Sequence, residues 1–209
     1  MWVKQVSSSL SWILAFLNKE DGALRREWRY DYYSNRGVKV VIYLDASPFG
    51  LGGMLEEDGE ITSWFWTALS NHDTMIHKFK VGDHKGQQVW ESLVALVAVR
   101  LWAPRWTGRQ TTITMKGDNM SALAMSANLK NKVSSLINRE MSLSMSASAF
   151  QPRFVEHVPG VFNYSPDVLS RKRDPSLRGY ADLDLPKNLQ VIPPVRDWAY
   201  YLTLPPKSG

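Results

Sequence analysis

Residues 40–55 read VVIYLDASPFGLGGML. Apolar side chains occupy both parities, Val40, Ile42 and Leu44 against Val41 and Tyr43, and the run stops on a carboxylate, Asp45. A strand that is apolar on both parities is buried on both faces. Ending it on a charge, then turning at Pro48 and returning through Gly50, Gly52 and Gly53, suggests a strand that delivers Asp45 to a site and doubles back without crowding it.

Outward from this stretch, LGGMLEE and EITSWFWTA read as two further strands joined at Asp58-Gly59, a hairpin dipeptide. With the first strand they make an antiparallel meander. Residues 69–85 are polar and read as irregular. A helix is predicted from Gly86 to about Ala103, where Leu93, Val97 and Leu101 recur at i, i+4 and i+8, and Pro104 ends it. TTITMKG (111–117) is β-branched and reads as a strand. Helices follow from Asn119 to about Leu129 and from about Lys132 to Ala147, and PRFVEHV (152–158) reads as a short fifth strand. SPDVLSRK opens a last helix, with Ser165 as cap and Pro166 at the first helical position. The order implies an α/β fold: a five-stranded mixed sheet, meander plus parallel crossovers, flanked by helices. Residues 1–37 read as a helical lead-in, with Ser8 or Ser9 capping a helix through Trp12, Ile13, Phe16 and Leu17. Residues 38–173 form the body, and 174–209 a Pro-rich tail packed on it through Trp198, Tyr200 and Tyr201.

The 209 residues suit one domain with appendages, and a 44% hydrophobic content with nine Trp gives ample material for a core. Lys and Arg exceed Asp and Glu by 25 − 20 = 5, which permits nucleic-acid binding without demanding it. The absence of Cys excludes disulfides, Cys-bound zinc and thiol catalysis, so a metal here would be a hard cation held by carboxylates. The apolar run from Trp12 to Leu17 is far short of the roughly 20 residues a membrane span needs, so no membrane partner and an intracellular location are expected.

Four acidic residues sit at element ends or on a core-facing helix: Asp45, Glu91, Asp118 and Asp167. Each has a plain explanation. Asp45 starts a turn, Asp118 caps the helix at Asn119, and Asp167 favours the first turn of its helix. Glu91 is harder to explain. It shares a helix face with Ala95 and Ala98, small residues that admit a sheet closely, and a carboxylate on such a face needs a partner. Arg100 lies on another side of that helix. If the first and fourth strands are parallel neighbours, Asp45 and Asp118 emerge together at the carboxyl end of the sheet, the usual ligand crevice of open α/β sheets. Acids converging there repel one another unless cations intervene. A pair of magnesium or manganese ions, about 3.5–4 Å apart in such sites, can activate a water and stabilise the leaving oxygen of a phosphodiester.

Four blocks in order, LDASPFGLGGML, QQVWESLVALVAVRLW, KGDNMSAL and VEHVPGVFNYSPDVLSR, together resemble the ribonuclease H domain of retrotransposon reverse transcriptases. The last block is similar to the signature His-x-Pro-Gly-x-x-Asn-x-x-Ala-Asp-x-Leu-Ser-Arg, and the Gly-Asp-Asn variant resembles DIRS-type retroelements. The resemblance spans roughly residues 38–173. It implies a ribonuclease H-like fold and a two-metal endonuclease that cuts the RNA strand of RNA–DNA hybrids, leaving 5′-phosphate and 3′-hydroxyl ends. It assigns Asp45, Glu91, Asp118 and Asp167 to two Mg2+ or Mn2+ ions and His157 to proton transfer or product release. It makes Asn119, Asn163, Lys116 and Arg171 candidates for substrate binding. It further implies a polymerase domain upstream in a parent protein. Three features depart from the family pattern. Pro166 replaces the usual Ala, residues 69–85 are longer than in compact members, and no basic helical protrusion follows Asp118.

Two other readings keep the fold. An inactive ribonuclease H-like binding module has no reason to retain all four carboxylates. A DNA-cutting integrase or transposase usually carries three acids and leaves the His-x-Pro-Gly run unexplained.

Overall fold

The computed structural model of the chain describes residues 10–18 (except 12 and 16), 38–106, 111–118, 135–148, 152–159, 163–177 and 183–202. The strands are β1 Val38–Ser47, β2 Gly50–Glu57, β3 Glu60–Ala68, β4 Thr111–Gly117 and β5 Pro152–His157, and they form one sheet in the order β3-β2-β1-β4-β5. The pairs β1–β2 and β2–β3 are antiparallel, while β1–β4 and β4–β5 are parallel. Asp58 and Gly59 both have positive φ, 52° and 92°, as a tight hairpin turn requires.

Alternation along the strands divides the sheet into two faces. One carries Val40, Ile42, Leu44, Leu55 and Phe65, all buried. It packs against α2 (Gln87–Trp102), which follows α1 (Asn71–His77) in the chain. The helix α2 is buried on all sides from Val89 to Val99, because α3 (Ser135–Ser148) covers its outer surface. The predicted stripe of Leu93 and Val97 is therefore only part of an apolar cylinder. The opposite face carries Met54 and Trp64 and receives α4 (Tyr164–Ser170) through Leu169.

Three expectations need correction. Residues 69–85 are not irregular throughout. Ser70 and Asp73 form a reciprocal capping box that starts α1, the Ser-x-x-Asp signal of a helix start. The last helix begins before Ser165: its N-cap is Asn163, and Pro166 stands third. First-turn N–H groups have no intrahelical acceptor, so proline costs no bond there. Trp198 opens α5 (Trp198–Tyr201) but is itself 52% exposed, and only Tyr200 and Tyr201 are buried. The predicted helix at Asn119–Leu129 and the lead-in residues Ser8, Ser9, Trp12 and Phe16 lie outside the described residues. The described residues between 10 and 17 are helical, with Ala15 buried and Leu10, Ile13, Leu14 and Leu17 exposed. Among the described residues, no helix is long and apolar enough to cross a membrane.

The C-terminal stretch is tied to the body at several places. Beside β3, Gln190 bridges to Trp64, Val191 N donates to Trp64 O at 2.9 Å, and the Trp64 indole donates to Pro186 O at 2.9 Å. Further on, the Arg196 guanidinium meets both oxygens of the buried Asp73 and donates to Thr67 Oγ1 and Ala68 O. The Tyr201 hydroxyl donates to the same carboxylate. Arg100, which the sequence places on another side of α2 from Glu91, pairs with Glu140 at 2.6 Å and donates to Tyr200 O.

Candidate metal centre

Asp45 lies near the carboxyl end of β1, Asp118 directly after β4, and Glu91 in the second turn of α2. Parallel pairing brings the ends of β1 and β4 together, and α2 crosses the sheet beside them. Oxygens from the three carboxylates all lie within 4.8 Å of one another. Asp45 and Glu91 are buried and Asp118 is exposed, so the group forms a pocket open on one side.

Glycines set the position of the fourth acid. A Cβ on Gly52 would lie 2.6 Å from Leu169 Cβ and 2.7 Å from both Pro166 O and Ser170 N. Only a residue without a side chain lets α4 rest on β2 this closely. Ser47 then ties the β1–β2 turn to the end of α4, its Oγ donating to Ser170 O at 2.8 Å. The helix α4 carries Asp167 within electrostatic reach of Asp45. Asp167 itself pairs with Arg171, Nε to Oδ1 at 2.5 Å.

Among the described residues, the two buried acids receive only neutral donors at hydrogen-bond distance. Ser170 Oγ donates to Asp45 Oδ2 at 2.5 Å. Gln87 Nε2 donates to Glu91 Oε1 at 2.7 Å and to Ala46 O at 2.5 Å, so this amide joins α2 to β1. Burial pushes the Asp45 carboxyl up to about 7; the Ser170 hydroxyl pulls down, Asp118 and Asp167 push up, and Arg171 pulls down. Burial, and then the charge of Asp45, hold Glu91 well above the usual carboxylate range in spite of Gln87. Without cations the pocket is therefore short of positive charge. Oxygen-only donors of this kind suit a hard divalent cation, and the acid set fits one.

The other sequence-selected residues fall around this pocket. Asn163 is buried and donates from Nδ2 to Leu44 O at 3.1 Å, one residue before Asp45, which makes it a clamp between α4 and β1. Arg171 lies at the rim, within electrostatic reach of both buried acids. Lys116 is half-buried, its Nζ 5.7 Å from the Tyr43 ring. His157 pairs with Gly117 through the backbone, so it reaches the same end of the sheet as Asp118; its side chain and the whole of Asn119 lie outside the described residues. Sequence reasoning missed Gln87 and Ser170. The signals were present: Gln87 is four residues before Glu91 on one helix face, and Ser170 three after Asp167.

No family model matches the chain, and no curated protein does. Solved structures with a similar arrangement include RNase H1 from the halophilic archaeon Halobacterium salinarum NRC-1, at 16% identity and a TM-score of 0.45, covering 63% of this chain and 93% of that one. Another is the N-terminal RNase H domain of rv2228c from Mycobacterium tuberculosis, solved as a fusion with maltose-binding protein. It has the same identity and TM-score and covers 63% of this chain and 90% of that one.

Proposed function

We propose that the chain is a ribonuclease H: a metal-dependent endonuclease that hydrolyses the RNA strand of RNA–DNA hybrids. The observation that carries this reading is the pocket, in which three carboxylates from separate elements converge and the two buried ones have, among the described residues, only neutral donors. Asp45, Glu91, Asp118 and Asp167 would hold two magnesium or manganese ions. When bound, such ions supply a water of lowered pKa and stabilise the leaving oxygen of the phosphodiester.

The chain's own residues do the rest. Asp45 and Glu91 hold protons more readily than ordinary carboxyls, so cation binding expels protons and affinity rises with pH. Ser170 and Gln87 keep one oxygen of each acid fixed, leaving the other free for a ligand. His157 is assigned to proton transfer or product release. Discrimination for RNA in one strand would rest on its 2′-hydroxyls and on groove shape. The finer assignment, to the ribonuclease H part of a retroelement reverse transcriptase with a polymerase upstream of residues 1–37, rests on the order of the four sequence blocks.

The test is incubation with a matched RNA–DNA hybrid, RNA duplex and DNA duplex, with and without magnesium. Cutting of the hybrid alone, only with the metal, is the expected result. Cutting of DNA duplex would favour an integrase-type nuclease, and failure to bind manganese would favour an inactive module.

A further inference from the structure

The face of the sheet covered by α4 holds a second feature beside the pocket. Asp45 pairs with Gly52, and Gly52 with Trp66, so the three stand in one row across β1, β2 and β3 and share a face. Trp66 is therefore two strand spacings from Asp45, about 10 Å. Between them there is no side chain from Gly52, only the covering turn of α4.

The chain leaves α4 as Arg171, Lys172 and Arg173. Arg171 turns back onto Asp167. The next two continue over β3: Lys172 Nζ is 5.8 Å from the Trp64 ring centroid and 5.5 Å from that of Trp66, and Arg173 Cζ is 5.9 Å from Trp66. Both cations are exposed. Among the described residues, the ion pairs leave neither with a carboxylate. An indole face holds a cation in place without cancelling its charge. The platform is itself fixed, since the Trp64 ring is buried and anchored to Pro186.

We propose that Lys172 and Arg173, seated on Trp66, bind backbone phosphates of a nucleic-acid strand running from the carboxylate pocket over the C-terminal end of α4 to the edge of β3. Adjacent cations suit a repeating phosphate chain, and the run Arg171, Lys172 and Arg173 at the end of α4 leads from the rim of the pocket to the Trp66 ring. The direction of the strand rests on the proposed function, whereas the phosphate site does not.

The test is fluorescence anisotropy of the full chain with a labelled RNA–DNA hybrid carrying a single-stranded DNA extension. It is read across a series of salt concentrations, without divalent cations so that nothing is cut. The double variant K172A/R173A is expected to bind roughly tenfold or more weakly at low salt. The slope of log affinity against log salt should shrink by about 1.4–1.8, the value for two lost phosphate contacts. The charge reversal K172E/R173E should deepen the loss, and manganese affinity should stay at the parent value in both. An unchanged slope and affinity in K172A/R173A would overturn the proposal, as would an equal loss of poly-glutamate binding, which would mark an unselective anion patch. Binding is read apart from turnover. A chain that cuts nothing yet shows the expected loss sinks the nuclease reading alone; a chain that cuts while the double variant binds normally sinks this one alone.

Discussion

Asp73 on one side and the pair Asp45 and Glu91 on the other are buried acids built in opposite ways. Asp73 sits between α1 and the C-terminal stretch and receives a guanidinium, a tyrosine hydroxyl and the Ser70 N–H. Its charge is answered from within the chain. Asp45 and Glu91 receive a serine hydroxyl and a glutamine amide, and the nearest further charges are mostly of the same sign. Burying an unanswered carboxylate is expensive, and a fold that needed only stability would have supplied an arginine. The Asp73 cluster ties the C-terminal stretch to the body, while the Asp45 pocket, on the proposed function, is completed by a cation.

The contrast can be broken at either end. The largest expected effect is on catalysis. Asp45→Asn should lower hybrid cleavage by roughly a thousand-fold or more, about 4 kcal/mol of barrier, while the melting temperature is kept or raised. A variant that cuts at the parent rate removes Asp45 from the site. At the other cluster, Arg196→Met strands a buried carboxylate and should cost about 3–5 kcal/mol in denaturant unfolding. Adding Asp73→Asn should return part of that loss; a silent Arg196→Met would show that the pair does not hold the C-terminal stretch.

The pocket should also respond to pH. The Asp45 carboxyl rises from 3.8 to about 7 on folding, so the folded state binds the proton more tightly. The stability that Asp45 contributes to the ion-free protein is then full below about pH 4, falls as the pH climbs to about 7, and is gone above that. The fall is on the order of 4 kcal/mol, at 1.36 kcal/mol per pH unit. Manganese should restore stability at high pH, and Asp45→Asn should make the profile shallower, Glu91 keeping the rest of the slope. Urea titrations from pH 4 to 8 measure both.

A smaller effect is expected from Gly52→Ala, which must push α4 off β2 and should cost about 1–3 kcal/mol. Manganese affinity should fall with it as Asp167 is displaced, and calorimetry that finds parent affinity would uncouple α4 from the pocket. The smallest is Arg171→Gln. Its pair with Asp167 is partly exposed, 39% and 25%, and should contribute less than about 1 kcal/mol to stability.

Much of the architecture was legible because it rests on local pattern. Val40–Leu44 reads as a doubly buried strand, Asp58-Gly59 as a hairpin, and Gln87–Trp102 as a helix, each from neighbouring residues alone. Glu91 announced itself as an acid among alanines. What stayed hidden depends on pairing across long separations. Arg196 meets Asp73 from 123 residues away, and Ser170 meets Asp45 from 125. Neither contact leaves a trace in periodicity or composition. The capping box of α1 was local and readable, but the polar character of 69–85 concealed it.

The parallel bridge from Gln190 to Trp64 has a further consequence. One of the two edge strands, β3, would otherwise present unpaired amides and carbonyls along its free side, a template for a neighbouring copy. The stretch from Pro186 to Val191 occupies part of that side. Trimming the chain before it would therefore do more than lower a melting point: it would invite molecules to stack edge to edge, and the first sign of damage would be turbidity.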